Sequence, residues 1–307
     1  WLDAALLLVL DVWPLGRAGE RALEGRWRNW GRLLLEKLPL LAAGVVVTAL
    51  TVAAQRRLGA VSTLEEIPFP LRVGNALASY ALYLWKGLWP ADLSISYPFE
   101  PDLPLGWVLA GALFLALALA LALRWPWKPA GVTSGVVWYA LALLPMLGLV
   151  QAGLQARADR YPNVPLVGLF WALVWGAAGL AGGRAWLLRA LFVLGLCWAG
   201  ALGGLSWRRA HDWRDTETLF RAAVRADPRD WVSHEKLGLE ALSRGDLAEA
   251  SEHLPLYHLL KPYGPPSYGH MGNLYLAQRR YALAETYYRQ CVQMAHEDPS
   301  GYYALAR

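Results

Sequence analysis

Five stretches of this 307-residue chain run 18 or more positions without a charged side chain: 38–55, 103–123, 129–156, 161–183 and 190–207. A helix needs about 20 apolar residues to cross about 30 Å of hydrocarbon. Each stretch therefore predicts a membrane span, and residues 1–15 read as the tail of a sixth. The chain opens at Trp1 inside that tail and is expected to be part of a longer protein. Residues 73–85 are also uncharged, but short and less apolar. At helical spacing Arg72, Asn75, Ser79, Tyr83 and Lys86 share one face, with Leu77, Leu84 and Leu88 opposite. That pattern predicts a helix near 73–90 lying in the membrane interface or lining a wet cavity.

After residue 206 the pattern changes to short amphipathic segments with a recurring period. Gly238 and Gly272 are 34 positions apart, as are Ala250 and Ala284, and Pro228 and Pro262. A small residue in a first helix, Ala in a second and a closing Pro at this period form the tetratricopeptide pattern. It predicts repeats over about 231–264 and 265–298, a half repeat ending at Pro228, and a truncated third opening before Ala306. Gly238, Ala250, Pro262, Gly272 and Ala284 are the predicted packing positions, where paired helices cross too closely for larger side chains. Such arrays bind extended peptides or proteins. The expected architecture is all-α: a polytopic transmembrane domain over 1–206, then an α-solenoid over 207–307.

Composition agrees with that division. Hydrophobic residues make up 56% of the chain and charged residues 17%. Residues 1–206 hold 16 Lys or Arg and 11 Asp or Glu, whereas 207–307 hold 13 of each. The net charge of +5 thus belongs to the apolar part. This excludes a single soluble enzyme and a disordered chain, and a nucleic-acid partner is not expected. Arg17, Arg21, Arg26, Arg28 and Arg32 place 16–32 on the cytoplasmic side. If 73–90 does not cross, Arg124 to Lys128 and Arg184 to Arg189 also fall inside, and the acidic loop 91–104 falls outside. Everything after residue 207 is then periplasmic.

No Gly-rich phosphate loop, nucleophile elbow or HExxH motif is present. The six His show no metal-ligand spacing with acidic or Cys partners. Chemistry is therefore sought at polar residues near the membrane, where ionisable groups are costly and commonly functional. Arg157, Asp159, Arg160 and Tyr161 lie between two apolar stretches. An Asp flanked by two Arg suits an anionic lipid headgroup, since guanidinium forks bind phosphate bidentately. An Asp–Arg pair that merely anchors a span is the equal alternative. Lys86 and Asp92, beside Trp85, Trp89 and Tyr97, form a second polar group.

Several motifs, in order, carry a resemblance: Asp11-Val-Trp-Pro-Leu-Gly-Arg17, Leu35-Glu-Lys-Leu-Pro39, Leu88-Trp-Pro-Ala-Asp92-Leu93, Gly148-Leu-Val-Gln151 and Ala158-Asp-Arg-Tyr161 followed by Pro165-Leu-Val-Gly-Leu169. The chain resembles bacterial multi-span membrane proteins with C-terminal tetratricopeptide repeats. These are relatives of the transmembrane-and-tetratricopeptide O-mannosyltransferases of the GT-C superfamily. The resemblance implies transfer of a hexose, mannose or similar, from polyprenyl phosphate to a Ser/Thr hydroxyl of an exported protein held by the repeats. It implies a bacterial inner-membrane location with the repeats periplasmic. It also carries the family's acidic-Arg pair onto Asp159 and Arg160, with Arg160, then Arg157, then Lys86, facing the leaving phosphate. The family's catalytic acid lies in a first outer loop upstream of Trp1, where a divalent metal would also sit; no cofactor is identified in the chain. The rival expectation is a non-enzymatic membrane scaffold that displays repeats for envelope protein assembly.

Overall fold

The computed structural model describes residues 2–17, 23–57, 67–99, 103–123, 130–149, 155–261 and 264–294, and of 23–28 the backbone alone. Among them are twelve α-helices and no strand. In order they are α1 (Leu2–Val12), α2 (Leu23–Arg57), α3 (Phe69–Leu88), α4 (Leu105–Leu123), α5 (Ala130–Leu143), α6 (Asn163–Ala181), α7 (Ala185–Asp212), α8 (Thr216–Ala226), α9 (Trp231–Arg244), α10 (Leu247–Leu260), α11 (Pro265–Ala277) and α12 (Tyr281–Met294). The chain divides into two compact units, one of residues 1–91 and 99–205, the other of 92–98 and 206–307. Pro262, Gln151, Arg124, Lys128 and residues 295–307, where the second repeat was expected to end and a third to open, lie outside the described residues.

Among the described residues four helices are long and apolar enough to cross a membrane: Asn29–Arg57 within α2, α4, α6 and α7. One expected span is not of that length. The uncharged stretch 129–156 yields α5, only 14 residues long, followed by a 3-10 turn over Leu144–Met146. Pro145 explains the break: it has no N–H to donate and its ring collides with the preceding turn. Gly148 then takes a left-handed φ of +72°, which turns the chain away from the helix axis. At the other end, 1–15 yields the 11-residue α1, which stops two positions before Pro14. The break between α6 and α7 is sharper still, with Gly182 and Gly183 both left-handed, at φ +55° and +80°.

Within the first unit, small residues bring helices together. A Cβ added at Gly111 of α4 would lie 1.8 Å from the Leu77 carbonyl oxygen of α3. On α5 and α6, Gly135 and Gly168 face each other so closely that a Cβ on either would come within 2.5 Å of the other's carbonyl oxygen. Backbone contact through small residues is how helices associate where apolar burial gives little drive. Around these crossings a core forms from Ala76, Tyr80, Tyr83, Tyr139, Leu143, Leu147 and Leu169. Its tyrosines are satisfied inside it: the Tyr80 hydroxyl donates to the Ala140 carbonyl and that of Tyr139 to the Tyr80 carbonyl, both at 2.9 Å.

The second unit contains α8 to α12. Asp215, Asp230 and Asp246 cap α8, α9 and α10, each side chain accepting from backbone N–H groups of the first turn. Trp231 and Pro265, which open α9 and α11, are 34 positions apart, and so are Leu247 and Tyr281, which open α10 and α12. The helices pack as two hairpins, α9 on α10 and α11 on α12. Gly238 of α9 meets Leu254 of α10, and Gly272 of α11 meets the Tyr288 ring of α12; added Cβ atoms would come within 2.6 and 2.4 Å. Ala250 and Ala284 are buried at matching positions.

Candidate functional site

The polar face of α3 is buried in the first unit. Arg72, Asn75, Ser79 and Tyr83 are all inaccessible, and only Lys86, in the last turn, is half-exposed. The chain explains what they bind. Pro145 stops α5 early, so carbonyls beyond it have no helical donor. The Asn75 amide reaches the carbonyls of Leu147 and Ala156 at 3.4 Å, and an Arg72 Nη reaches that of Leu149 at 3.5 Å. A second Arg72 nitrogen, Nε, donates to the Ile67 carbonyl at 3.0 Å. These bonds are long individually, but together they hold two irregular segments, and without them the carbonyls of the buried Leu147 and Ala156 would lose these partners.

The segment 155–161 is fastened to the same face. Arg157 donates from Nη1 to the Asn75 side-chain oxygen at 3.3 Å. The Tyr83 hydroxyl accepts from the Ala158 N–H at 2.9 Å and donates to the Ala158 carbonyl at 3.2 Å. Tyr161 packs against the tyrosine core, and the Arg160 guanidinium lies over its ring, 5.3 Å from the centroid. Arg160 is the exposed cation of this segment, whereas Asp159 is half-buried. Such a loop presents a cation on a rigid support, which favours binding of a compact anion.

The structure thus brings Arg157, Asp159, Arg160 and Tyr161 onto one short segment of the first unit. Lys86 lies on α3 in the same unit. Asp92 falls in the second unit, exposed, with a left-handed φ of +51°. Asn75 and Tyr83, which do the fastening, were not among the predicted site residues. Their shared helical face was the available signal. Of the predicted packing positions, Gly238, Ala250, Gly272 and Ala284 sit at the hairpin crossings.

Two further polar clusters are present. Asp11 of α1, 2% exposed, pairs with Lys37 of α2 at 2.6 Å and with Arg17 at 2.7 Å, and Arg17 also bonds Glu36 at 2.7 Å. Positive and negative charges balance within this group, which ties α1 to α2. In the second unit His234 and His253 are buried, with their Nδ1 atoms 3.0 Å apart. His234 Nε2 lies 3.1 Å from the Pro228 carbonyl, which only accepts, so Nε2 carries the proton and Nδ1 accepts from His253. Burial, and then the neighbouring His234, hold the His253 pKa below the usual imidazole value. Among the described residues no group of three or more His, Cys, Asp or Glu is arranged to hold a metal ion.

The described residues define an all-helical fold in which four helices are long and apolar enough to cross a membrane. No protein-family model, curated protein or solved structure matches the chain.

Proposed function

We propose that this chain belongs to a membrane glycosyltransferase that moves a hexose, mannose or similar, from a polyprenyl-phosphate carrier to an exported protein. The observation that carries this proposal is the fastening of segment 155–161 to the polar face of α3, which leaves Arg160 exposed on a fixed support. Burying Arg72, Asn75 and Tyr83 among apolar helices is costly, and a structural anchor does not require so much polar scaffolding. A preorganised guanidinium is suited to the charge that develops on the lipid phosphate as the sugar leaves. In this proposal a carboxylate deprotonates the acceptor Ser/Thr hydroxyl, whose oxygen attacks the anomeric carbon. Arg160 stabilises the departing phosphate, and Arg157 holds the segment by donating to the Asn75 side-chain oxygen. The hairpins of α9 to α12 serve as tetratricopeptide repeats that hold the acceptor, on the periplasmic side of a bacterial inner membrane. The 34-position offset of the hairpins and the close crossings at Gly238 and Gly272 support that assignment.

One observation favours the second reading, a scaffold without catalysis. Arg157 donates to the Asn75 side chain, a contact that a purely structural role for the basic pair would also use. Affinity for polyprenyl-phosphate mannose separates the two, measured on the full chain in nanodiscs. Arg160→Ala should weaken binding about tenfold or more, the scale of a lost charge-assisted hydrogen bond. Arg184→Ala should leave it unchanged. Equal, small effects would return Asp159 and Arg160 to anchoring and favour the scaffold.

A further inference from the structure

The end of α7 has a chemistry that neither the spanning role of the helix nor the carrier site uses. Its uncharged stretch, Ala190 to Trp207, is bracketed by Arg184 and Arg189 at one end and by Arg208 and Arg209 at the other. At 1.5 Å per residue that stretch covers ~27 Å, close to the hydrocarbon thickness. Trp207 therefore falls where the helix meets the headgroups, and Trp186 occupies the opposite boundary; both are exposed.

Beyond this boundary the last turns are one-sided. Trp207, Ala210, His211 and Arg214 line a shallow recess of about 310 Å³. The indole and imidazole rings of Trp207 and His211 meet edge-on at 6.0 Å. His211 Nδ1 lies 3.1 Å from the Trp207 carbonyl and must donate to it, so the ring is held with Nε2 facing away from the helix backbone. The acids nearby are already engaged. Asp212 pairs with Arg209 at 3.0 Å, Asp215 caps α8 through the Thr218 N–H at 2.7 Å, and Glu217 bonds Arg221 at 3.0 Å. Arg208 and Arg214 are exposed and form no ion pair among the described residues. The result is two cations and an oriented imidazole beside an interfacial tryptophan.

We propose that this end of α7 binds the phosphate of an anionic phospholipid headgroup, of the phosphatidylglycerol class, at the surface where the helix leaves the bilayer. Charge complementarity sets the lipid class, since a zwitterionic headgroup would bring its own cation against Arg208 and Arg214. Trp207 packs on the glycerol and upper acyl region, Arg214 reaches the phosphate, and His211 Nε2, an acceptor while Nδ1 carries the proton, takes a hydrogen bond from a headgroup glycerol hydroxyl. Such contacts would fix the depth of α7 in the membrane.

The test is native mass spectrometry of the detergent-solubilised full chain, titrated with dioctanoyl-phosphatidylglycerol or dioctanoyl-phosphatidylcholine. Each basic side chain at an anionic surface contributes about fivefold in affinity. Changing Arg208 and Arg214 together to Gln should lower phosphatidylglycerol affinity about thirtyfold. Arg208→Lys with Arg214→Lys should restore most of it, and Arg229→Gln should change nothing. Both arginines are exposed, so the variants should keep the helicity of the parent by circular dichroism. Binding of polyprenyl-phosphate mannose should be untouched, which separates this site from the one at Arg160. Equal affinity for the two phospholipids, or a loss below twofold in the double Gln variant, would overturn the proposal.

Discussion

Replacing Asp230 by Ala should open the α9–α10 hairpin locally. Asp230 is fully buried and caps α9: its Oδ1 accepts from the Val232 and Ser233 N–H groups at 3.1 and 3.4 Å, and its Oδ2 from the Ser233 hydroxyl at 2.5 Å. Losing a helix cap costs about 0.5–2 kcal/mol. Leaving the buried Ser233 hydroxyl without its partner costs about 1–3 kcal/mol more. Ala should therefore destabilise the hairpin by about 2–4 kcal/mol, whereas Asn, which caps as well as Asp, should retain most of the stability. Burial holds the Asp230 carboxyl above its ordinary value of 3.8. A raised carboxyl pKa means that the folded state prefers the neutral acid. That preference contributes stability below the unfolded pKa and is lost as pH rises through the folded one. At neutral pH the buried charge is a burden that Asn removes. The assay is hydrogen exchange of α9 and α10 amides in the full chain at constant pH, because local opening is read directly there. Ala should speed exchange by about 30-fold to 1000-fold and Asn by less than about fivefold. Unchanged exchange in the Ala variant, or an Asn variant as damaged as Ala, would refute the reasoning.

Gly238→Val and Gly272→Val should each cost about 1–3 kcal/mol by overpacking, again read by exchange of their own hairpin, because Leu254 and the Tyr288 ring already occupy the space. Gly111→Ala should lower the melting temperature of the detergent-solubilised chain more than Gly106→Ala. The added methyl meets the fixed Leu77 backbone at the first position and nothing within 4 Å at the second. His253, whose pKa is depressed, faces His234 across the hairpin, with Glu249, Glu252 and Arg221 in its field. Its lowered pKa means the unfolded chain takes up the proton first, so hairpin stability should fall as pH drops below about 6.5 and His253→Gln should flatten that dependence.

What the sequence made legible was mostly periodic. Apolar runs located α4, α6 and α7 closely, and the 34-position recurrence of small residues anticipated the openings of α9 to α12. The face carrying Arg72, Asn75, Ser79 and Tyr83 was legible by helical spacing. Its partners were not, because they are main-chain carbonyls freed by Pro145, and no side-chain pattern marks a carbonyl. The same proline cut a 28-position uncharged window down to α5, since composition measures polarity and not helix continuity. Asp11 and Lys37 lie 26 positions apart on different helices, so their pairing depends on how α1 meets α2. Lys86 and Asp92 were grouped by proximity in the chain, yet they belong to different units.

Photo-crosslinking with a polyprenyl phosphate that carries a diazirine beside its phosphate tests the account most directly, with adducts mapped by peptide mass spectrometry on the full chain in nanodiscs. Adducts should concentrate on residues 155–161 and the first turns of α3, be suppressed by excess polyprenyl-phosphate mannose and be lost in Arg160→Ala. Adducts spread evenly over α2, α4, α6 and α7, indifferent to competitor and to Arg160, would contradict a carrier site on this segment.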